Sequence, residues 1–511
     1  MSKKSQNHWL LLATGFGIIS TVGISFYALF RMGISLHHDE WVGRGLYPGL
    51  ALGHGFDLYE PVTGPHVTLY GFGTALFYSL TALSSNPNQA IWFAYVINLI
   101  GFSVPIAFIS NRILSKEVLD PRTRYFSIFG FILLLFPIFA LEPTTEGILR
   151  IHADLPALFF LLSSICLFDV YIRKGNRNLL FLTTIALSFS IWAKLPTLPA
   201  IIYPAIFFLW QGKLKKALMY VPILGISLFL TYAIFSSFYG WEDTFFVLFK
   251  HIASGSWSIR NSLFSGENAN LVKMSYFQAI PLLCKFFLMY LAEYWYIALG
   301  SISLAACFIK KTECSSFDLL KCITFIYVLL IPTGLAALAH FGSVENSLLF
   351  VNASGTLAIF FGLVLFLSKV LNPKPFLFFI WSASFVFNLP FLRLARGGQE
   401  TTINSPHQQA FEYLKKGNKD VYFGWYPVAH LMHSGNNYSC IETPTWVGMS
   451  KPNEIDFSIK HFPPGAKFIA TGPTGFGKTI LKQYIGDLEE INPPAELSSW
   501  RIFRPLDYGN K

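Results

Sequence analysis

The sequence predicts a polytopic α-helical membrane protein of about eleven transmembrane helices, with a small α/β domain outside the membrane at its C-terminal end. Three observations carry that expectation. The 511 residues are 53% hydrophobic and only 13% charged, about half the charge of an average soluble domain, and the mean hydropathy is +0.48. Apolar runs of about 20 residues, the length that crosses a bilayer as a helix, recur up to residue 391. After Pro390 the chain becomes polar and mixed, which divides it into residues 1–391 and 392–511.

The candidate spans are 9–30, 89–111, 125–141, 155–172, 179–193, 196–210, 217–238, 288–309, 322–341, 347–369 and 375–391. The first follows Met1-Ser2-Lys3-Lys4 and has no small-residue cleavage site after it, so it reads as an uncleaved anchor. Lys and Arg gather in six short groups: Lys3 and Lys4; Arg112 to Arg124; Arg173 to Arg177; Lys213 to Lys216; Lys310 to Lys321; and Lys369 to Lys374. The net charge of +10 is therefore a loop signal rather than a nucleic-acid one. Placing all six groups in the cytoplasm sets the N-terminus inside and the C-terminal domain outside, as for a bacterial inner-membrane protein. The apolar run 67–84 then cannot be a span, because it would invert five of the six groups. It is expected to be an interfacial helix on the outer leaflet.

This topology sends the carboxylates outward. Asp39, Glu40, Asp57, Glu60, Glu142, Glu146 and Asp154 all fall on the outer side, whereas Asp169 and Asp318 fall on the inner side. The densest polar stretch is His37-His38-Asp39-Glu40, just after the first span. The six cysteines show neither a disulfide framework nor a CxxC metal site.

In the C-terminal domain, 420–423, 467–470 and 500–503 read as strands, and 408–416, 428–434 and 479–485 as helices. Gly472-Pro473-Thr474-Gly475-Phe476-Gly477-Lys478-Thr479 matches the phosphate-binding pattern GxxxxGK[ST] between a strand and a helix. The domain is short for a nucleotide-hydrolysing sheet, no later strand ends in a metal-holding Asp, and the topology puts it outside. ATP is accordingly not an expected ligand.

Several motifs in order give the chain a family likeness. They are Asp39-Glu40, Leu58-Tyr59-Glu60-Pro61 with Gly64-Pro65, Arg150-Ile151-His152-Ala153-Asp154-Leu155-Pro156, Ala193-Lys194-Leu195-Pro196-Thr197, and Gly342-Ser343-Val344-Glu345-Asn346. In this order the chain resembles the GT-C integral-membrane glycosyltransferases, in particular the branch of protein O-mannosyltransferases and the lipid A aminoarabinose transferase. The resemblance implies transfer of a sugar from a polyprenyl-phosphate donor to a lipid or glycan hydroxyl at the outer face, with inversion. By the same resemblance Asp39 is the general base, with Glu40 beside it and Asp154 as a second acidic position. A carboxylate at a membrane boundary, partly desolvated, suits the role of base.

The departing polyprenyl phosphate needs cations. Lys194 is the foremost candidate, because a lysine inside an apolar stretch is costly unless it is used. Arg150 and His152 are further candidates for the same role, with His38, Glu60, His66 and Asn346 as other sugar or phosphate contacts. No cofactor and no metal site is expected, since the branch most resembled works without metal. A divalent cation on His37, His38, Asp39, Glu40 and Asp154 stays open on chemistry alone. The rival class is a transporter or flippase of a lipid-linked or anionic substrate. It would carry ionisable residues near mid-span and internal repeats, and neither is visible here.

Overall fold

The computed structural model describes residues 15, 22, 41–56, 58, 71–114, 121–141, 151–245, 248–249, 257–259, 270–272, 278–295, 297, 315–339, 348–370, 373–396, 405–435, 465–471 and 487–506. Over these residues the chain fits a multi-pass helical membrane protein that carries a small sheet. Helix α1 spans Trp41–Gly53, α2 Phe72–Tyr78, α3 Pro87–Ile113, α4 Pro121–Leu141, α5 Asp154–Lys174 and α6 Arg177–Ala193. They are followed by α7 (Tyr203–Trp210), α8 (Leu214–Tyr239), α9 (Trp241–Phe245), the antiparallel pair β1 (Trp257–Ile259) and β2 (Asn270–Val272), and α10 (Ile280–Glu293). Then come α11 (Ser315–Ala339), α12 (Leu349–Val370) and α13 (Pro373–Arg396).

The count of about eleven spans is not met. Among the described residues five helices are long and apolar enough to cross a membrane: α3, α5, α8, the Asp318–Ala337 part of α11, and the Leu349–Leu367 part of α12. Two physical reasons account for part of the difference. The 17 residues of α6 rise only about 26 Å, short of a hydrocarbon core of about 30 Å. The run 196–210 is interrupted by Pro196, Pro199 and Pro204, which remove backbone donors. It splits into a 3₁₀ helix, Leu195–Ile202, and the eight-residue α7. The first expected span, 9–30, lies outside the described residues apart from positions 15 and 22, and so does 288–309 apart from 288–295 and 297.

The run 67–84 is not a span either. It forms α2 and then a 3₁₀ helix over Ser79–Leu83, together too short to cross. Both pieces pack on α1, whose Gly45, Gly49 and Gly53 recur every fourth residue. A β-carbon at Gly45 would collide with the Ile151 carbonyl, one at Gly49 with Tyr78, and one at Gly53 with Ala82 and Ser79. One bare stripe thus lets α1 lie directly on two neighbouring segments.

Helices α5 and α6 form a hairpin. Gly175, in the left-handed conformation at φ 70°, ends α5, and the Asn176 side chain accepts from Asn178 N–H to open α6. Helix α3 lies along α5, and α4 pairs with α13. A continuous apolar core joins Phe102, Leu158, Tyr203, Tyr290, Ile323 and Phe361, all buried.

The C-terminal domain contains α14 (Pro406–Lys415), β3 (Val421–Tyr422), α15 (Pro427–Ser434), β4 (Phe468–Ala470), β5 (Leu488–Ile491) and β6 (Ile502–Pro505). Its sheet has the order β3-β4-β6-β5, parallel between β3 and β4 and antiparallel elsewhere. The three expected strands are present within a residue or two, and β5 is an addition. Phe423, Trp425, Tyr426, Trp500 and Ile502 make its core. Val428 and Leu431 of α15 instead join the core formed by α1 and α2. Ser405 Oγ donates to Asn88 Oδ1 (2.7 Å), and Asn88 N–H donates to Gln408 Oε1 (3.2 Å), fixing the domain to the start of α3.

Candidate functional site

The hairpin of α5 and α6 explains how two charges 40 residues apart meet. Asp154 is the first residue of α5 and Lys194 caps the end of α6, so the two helices' adjacent ends carry them side by side. Each charge sits where the helix dipole favours it, the carboxylate at an N-terminus and the ammonium at a C-terminus. Lys194 Nζ donates to Asp154 Oδ1. The other oxygen, Oδ2, lies 2.6 Å from His152 Nδ1, which makes Nδ1 the protonated nitrogen in this pairing. Both carboxylate oxygens of Asp154 are therefore engaged.

Exposure separates the roles. None of the Asp154 side chain reaches the surface, whereas 16% of the Lys194 side chain does. Asp154 acts as a fixed counter-charge that holds Lys194 and His152 in place, and Lys194 is the group that can meet a ligand. The Phe350 ring of α12 lies 5.9 Å from Lys194 Nζ, a cation–π contact that steadies the ammonium without consuming an N–H. The turn behind Lys194 is fixed as well. Thr197 Oγ1 donates to the Lys194 carbonyl (2.9 Å), and Thr333 of α11 donates to the Pro196 carbonyl (3.0 Å).

His152 is held from its backbone. The Tyr78 hydroxyl lies 2.8 Å from Asn98 Oδ1 and 3.3 Å from the His152 carbonyl, two acceptors that share its single proton. Tyr78, buried on α2, was not legible as a site residue. The spacing of the α1 glycines, one of which abuts Tyr78, is the signal that could have pointed to a tightly built corner here.

Of the residues singled out from the sequence, the structure brings together His152, Asp154 and Lys194. Asp39, Glu40, His38, His37, Glu60, His66, Arg150 and Asn346 lie outside the described residues, as does the Gly472–Thr479 stretch. Asp39 and Glu40 directly precede α1 in sequence, and α1 crosses the Ile151–His152 backbone at Gly45. Among the described residues no three His, Cys, Asp or Glu side chains gather as metal ligands would.

The opposite end of α5 carries a second buried carboxylate. Asp169 Oδ2 accepts from Arg112 Nε of α3 (3.2 Å) and from the Arg173 guanidinium of its own helix (2.7 Å). Lys216, at the start of α8, stands 6.0 Å from the Tyr171 ring centroid nearby. Members of three of the six basic groups thus share one end of the bundle, and the Asp154 cluster occupies the other.

No protein-family model matches this sequence, and no similar chain is found among curated proteins.

Proposed function

We propose that the protein is a membrane glycosyltransferase of GT-C type, moving a sugar from a polyprenyl-phosphate donor to an acceptor hydroxyl at the outer membrane face. The observation that carries this reading is the Lys194–Asp154–His152 cluster. It is an anion-binding corner preset by a buried carboxylate, at the end of the bundle opposite Arg112, Arg173 and Lys216. A preset cation is what a departing phosphate requires, because it costs no reorganisation as negative charge develops.

In the proposed reaction the Asp39 carboxylate takes the acceptor O–H proton as that oxygen bonds to the anomeric carbon. The bond from that carbon to the phosphate oxygen breaks on the opposite side, and its electron pair leaves with the polyprenyl phosphate towards Lys194 and His152. Asp154 keeps both of these aligned. Its engaged oxygens make it a poor base, which supports assigning proton removal to Asp39, with Glu40 as its neighbour. The cytoplasmic N-terminus and the outer C-terminal domain belong to the same proposal.

The test is direct. Purified wild type and Asp39→Asn are given a polyprenyl-phosphate sugar and an acceptor, and released polyprenyl phosphate is followed. Wild-type turnover without ATP, with a loss of about 10³-fold in the variant, is the expected result. A variant that keeps most of its rate removes Asp39 from the role of base.

A further inference from the structure

We propose a second anion site at the far end of the bundle from Asp154: the first turn of α4 binds the phosphate of an anionic membrane lipid, with Arg124 as its principal ligand. Four observations meet there. Arg124 is more than nine-tenths buried, and its Nε has no hydrogen-bond acceptor among the described residues. A buried guanidinium donor left unmatched is costly, so its retention points to a partner that arrives from elsewhere. Arg124 also stands in the first turn of a 21-residue helix that has no acidic residue in that turn. The N–H groups of a first helical turn have no partner within the helix, so they and the dipole favour an anion, and a cation placed alone against them is unfavourable. No carboxylate on α4 answers that charge.

The third observation comes from the neighbouring helix. Ser110, in the last turns of α3, is buried with no partner for its hydroxyl among the described residues. Helices α3 and α4 pack together and are joined by residues 115–120, so both unmatched groups belong to the same end of one helix pair. The fourth is the surface around them. Tyr125, 5.6 Å from the Arg124 guanidinium, is exposed, and Phe126 and Phe129 are exposed beside it on the same helix. An aromatic rim beside a buried guanidinium suits a headgroup phosphate with acyl chains running along α4, since Arg forms two parallel hydrogen bonds to phosphate oxygens. With Arg112, Arg173 and Lys216 at this end, the positive-inside expectation makes it the cytoplasmic leaflet.

Inorganic phosphate shares the chemistry but not the acyl chains, and the experiment separates the two. The full-length protein is purified in a phosphate-free maltoside detergent, and its unfolding temperature is read alone, with phosphatidylglycerol, with phosphatidylcholine and with inorganic phosphate. Wild type should gain about 3 °C or more with phosphatidylglycerol and little with the other two, and native mass spectrometry should show one retained phosphatidylglycerol. Arg124→Met should lose both the shift and the retained lipid, and in lipid-free detergent it should melt no lower than wild type, because it deletes an unmatched buried charge. An Arg124→Met protein that melts well below wild type without lipid would show that Arg124 is satisfied within the chain, and the site would be withdrawn. An equal shift with inorganic phosphate, or a phosphatidylglycerol shift that persists in both Arg124→Met and Arg124→Gln, would overturn the lipid assignment.

Discussion

The two ends of α5 solve the same problem in different ways. Each holds a carboxylate that is almost fully buried, Asp154 at the start and Asp169 near the finish, and each surrounds it with cations. At the Asp169 end the partners are two guanidiniums whose side chains remain 19% and 37% exposed. Water shares the load. At the Asp154 end the partners are an imidazole and an ammonium that are 8% and 16% exposed, with a tyrosine hydroxyl and an aromatic ring packed behind them. Here the charge is dehydrated. The first arrangement fastens α3 to α5. The second stores a cation in a place where a ligand could claim it.

The largest expected effect tests that difference. Asp154→Asn leaves the mostly dehydrated Lys194 ammonium without its counter-ion, at a cost of about 3–5 kcal/mol in stability. Asp169→Asn frees two arginines that already reach water, and about 1–3 kcal/mol is expected. Thermal unfolding of the two variants in one detergent measures both. A double variant, Asp154→Asn with Lys194→Met, should recover a large part of the first loss, because it removes both charges together. Equal costs at the two ends would mean that burial does not distinguish them. If the double variant recovers nothing, the Lys194–Asp154 pair is not the source of the loss.

How much of this was legible follows from the length scale of each feature. Lys194 and Asp154 stood out singly, since a charge beside long apolar runs is conspicuous. Their pairing did not, because it depends on α5 and α6 folding back at Gly175 and Asn176 over helices of matched length. Arg112 and Arg173 read as ordinary loop charges and Asp169 as an inner-side carboxylate at the end of the span 155–172, although the basic-group rule had already assigned Arg112 and Arg173 to that side. The span count went astray at Pro196, Pro199 and Pro204, where hydropathy is high but the backbone cannot supply a continuous helix. Strand β5 was missed because Glu489 and Glu490 lie on an edge strand and pair outward with Arg504 and Arg501, so it lacks the apolar alternation of a half-buried strand.

Acid is an obvious probe of the Asp154 end, and it must first be separated from a histidine elsewhere. His430 Nε2 accepts from the Phe423 N–H (3.0 Å), and burial, aided by the nearby His433, lowers its pKa to about 3. The unfolded chain takes up this proton near pH 6.5 while the folded chain refuses it until about pH 3. Stability is therefore complete above pH 6.5 and falls between 6.5 and 3, by about 1.4 kcal/mol per pH unit, or about 2 kcal/mol at pH 5. His430→Gln keeps an acceptor for Phe423 without the titration and should flatten that slope, as read from denaturation midpoints at pH 7 and pH 5. Whatever acid sensitivity remains in His430→Gln can then be compared between Asp154 and Asp169 variants. A wild-type slope that His430→Gln leaves unchanged would locate the acid response elsewhere.

Tyr78→Phe should sharpen the comparison at the next level. It removes the proton shared by Asn98 and the His152 carbonyl while leaving the ring in place, for a cost of about 1 kcal/mol. If Tyr78 holds the loop that carries His152, donor affinity should weaken more than stability does. A proportional fall in both would make it a packing residue.

The smallest effect belongs to Arg173. It faces Asp169 from four residues further along the same helix, and 37% of its side chain is in contact with solvent. Pairs of that spacing and exposure are worth about 0.2–0.5 kcal/mol, and Arg112 remains to meet the carboxylate when Arg173 is gone. Arg173→Gln should therefore shift the unfolding midpoint by less than the scatter between most preparations, and should leave sugar transfer untouched. Arg112→Gln, which cuts the tie from α3 to this carboxylate, should cost visibly more. If Arg173→Gln proved as costly as Asp154→Asn, the Asp169 end would be as dehydrated and as tightly coupled as its counterpart, and the contrast between fastening and storage along α5 would collapse.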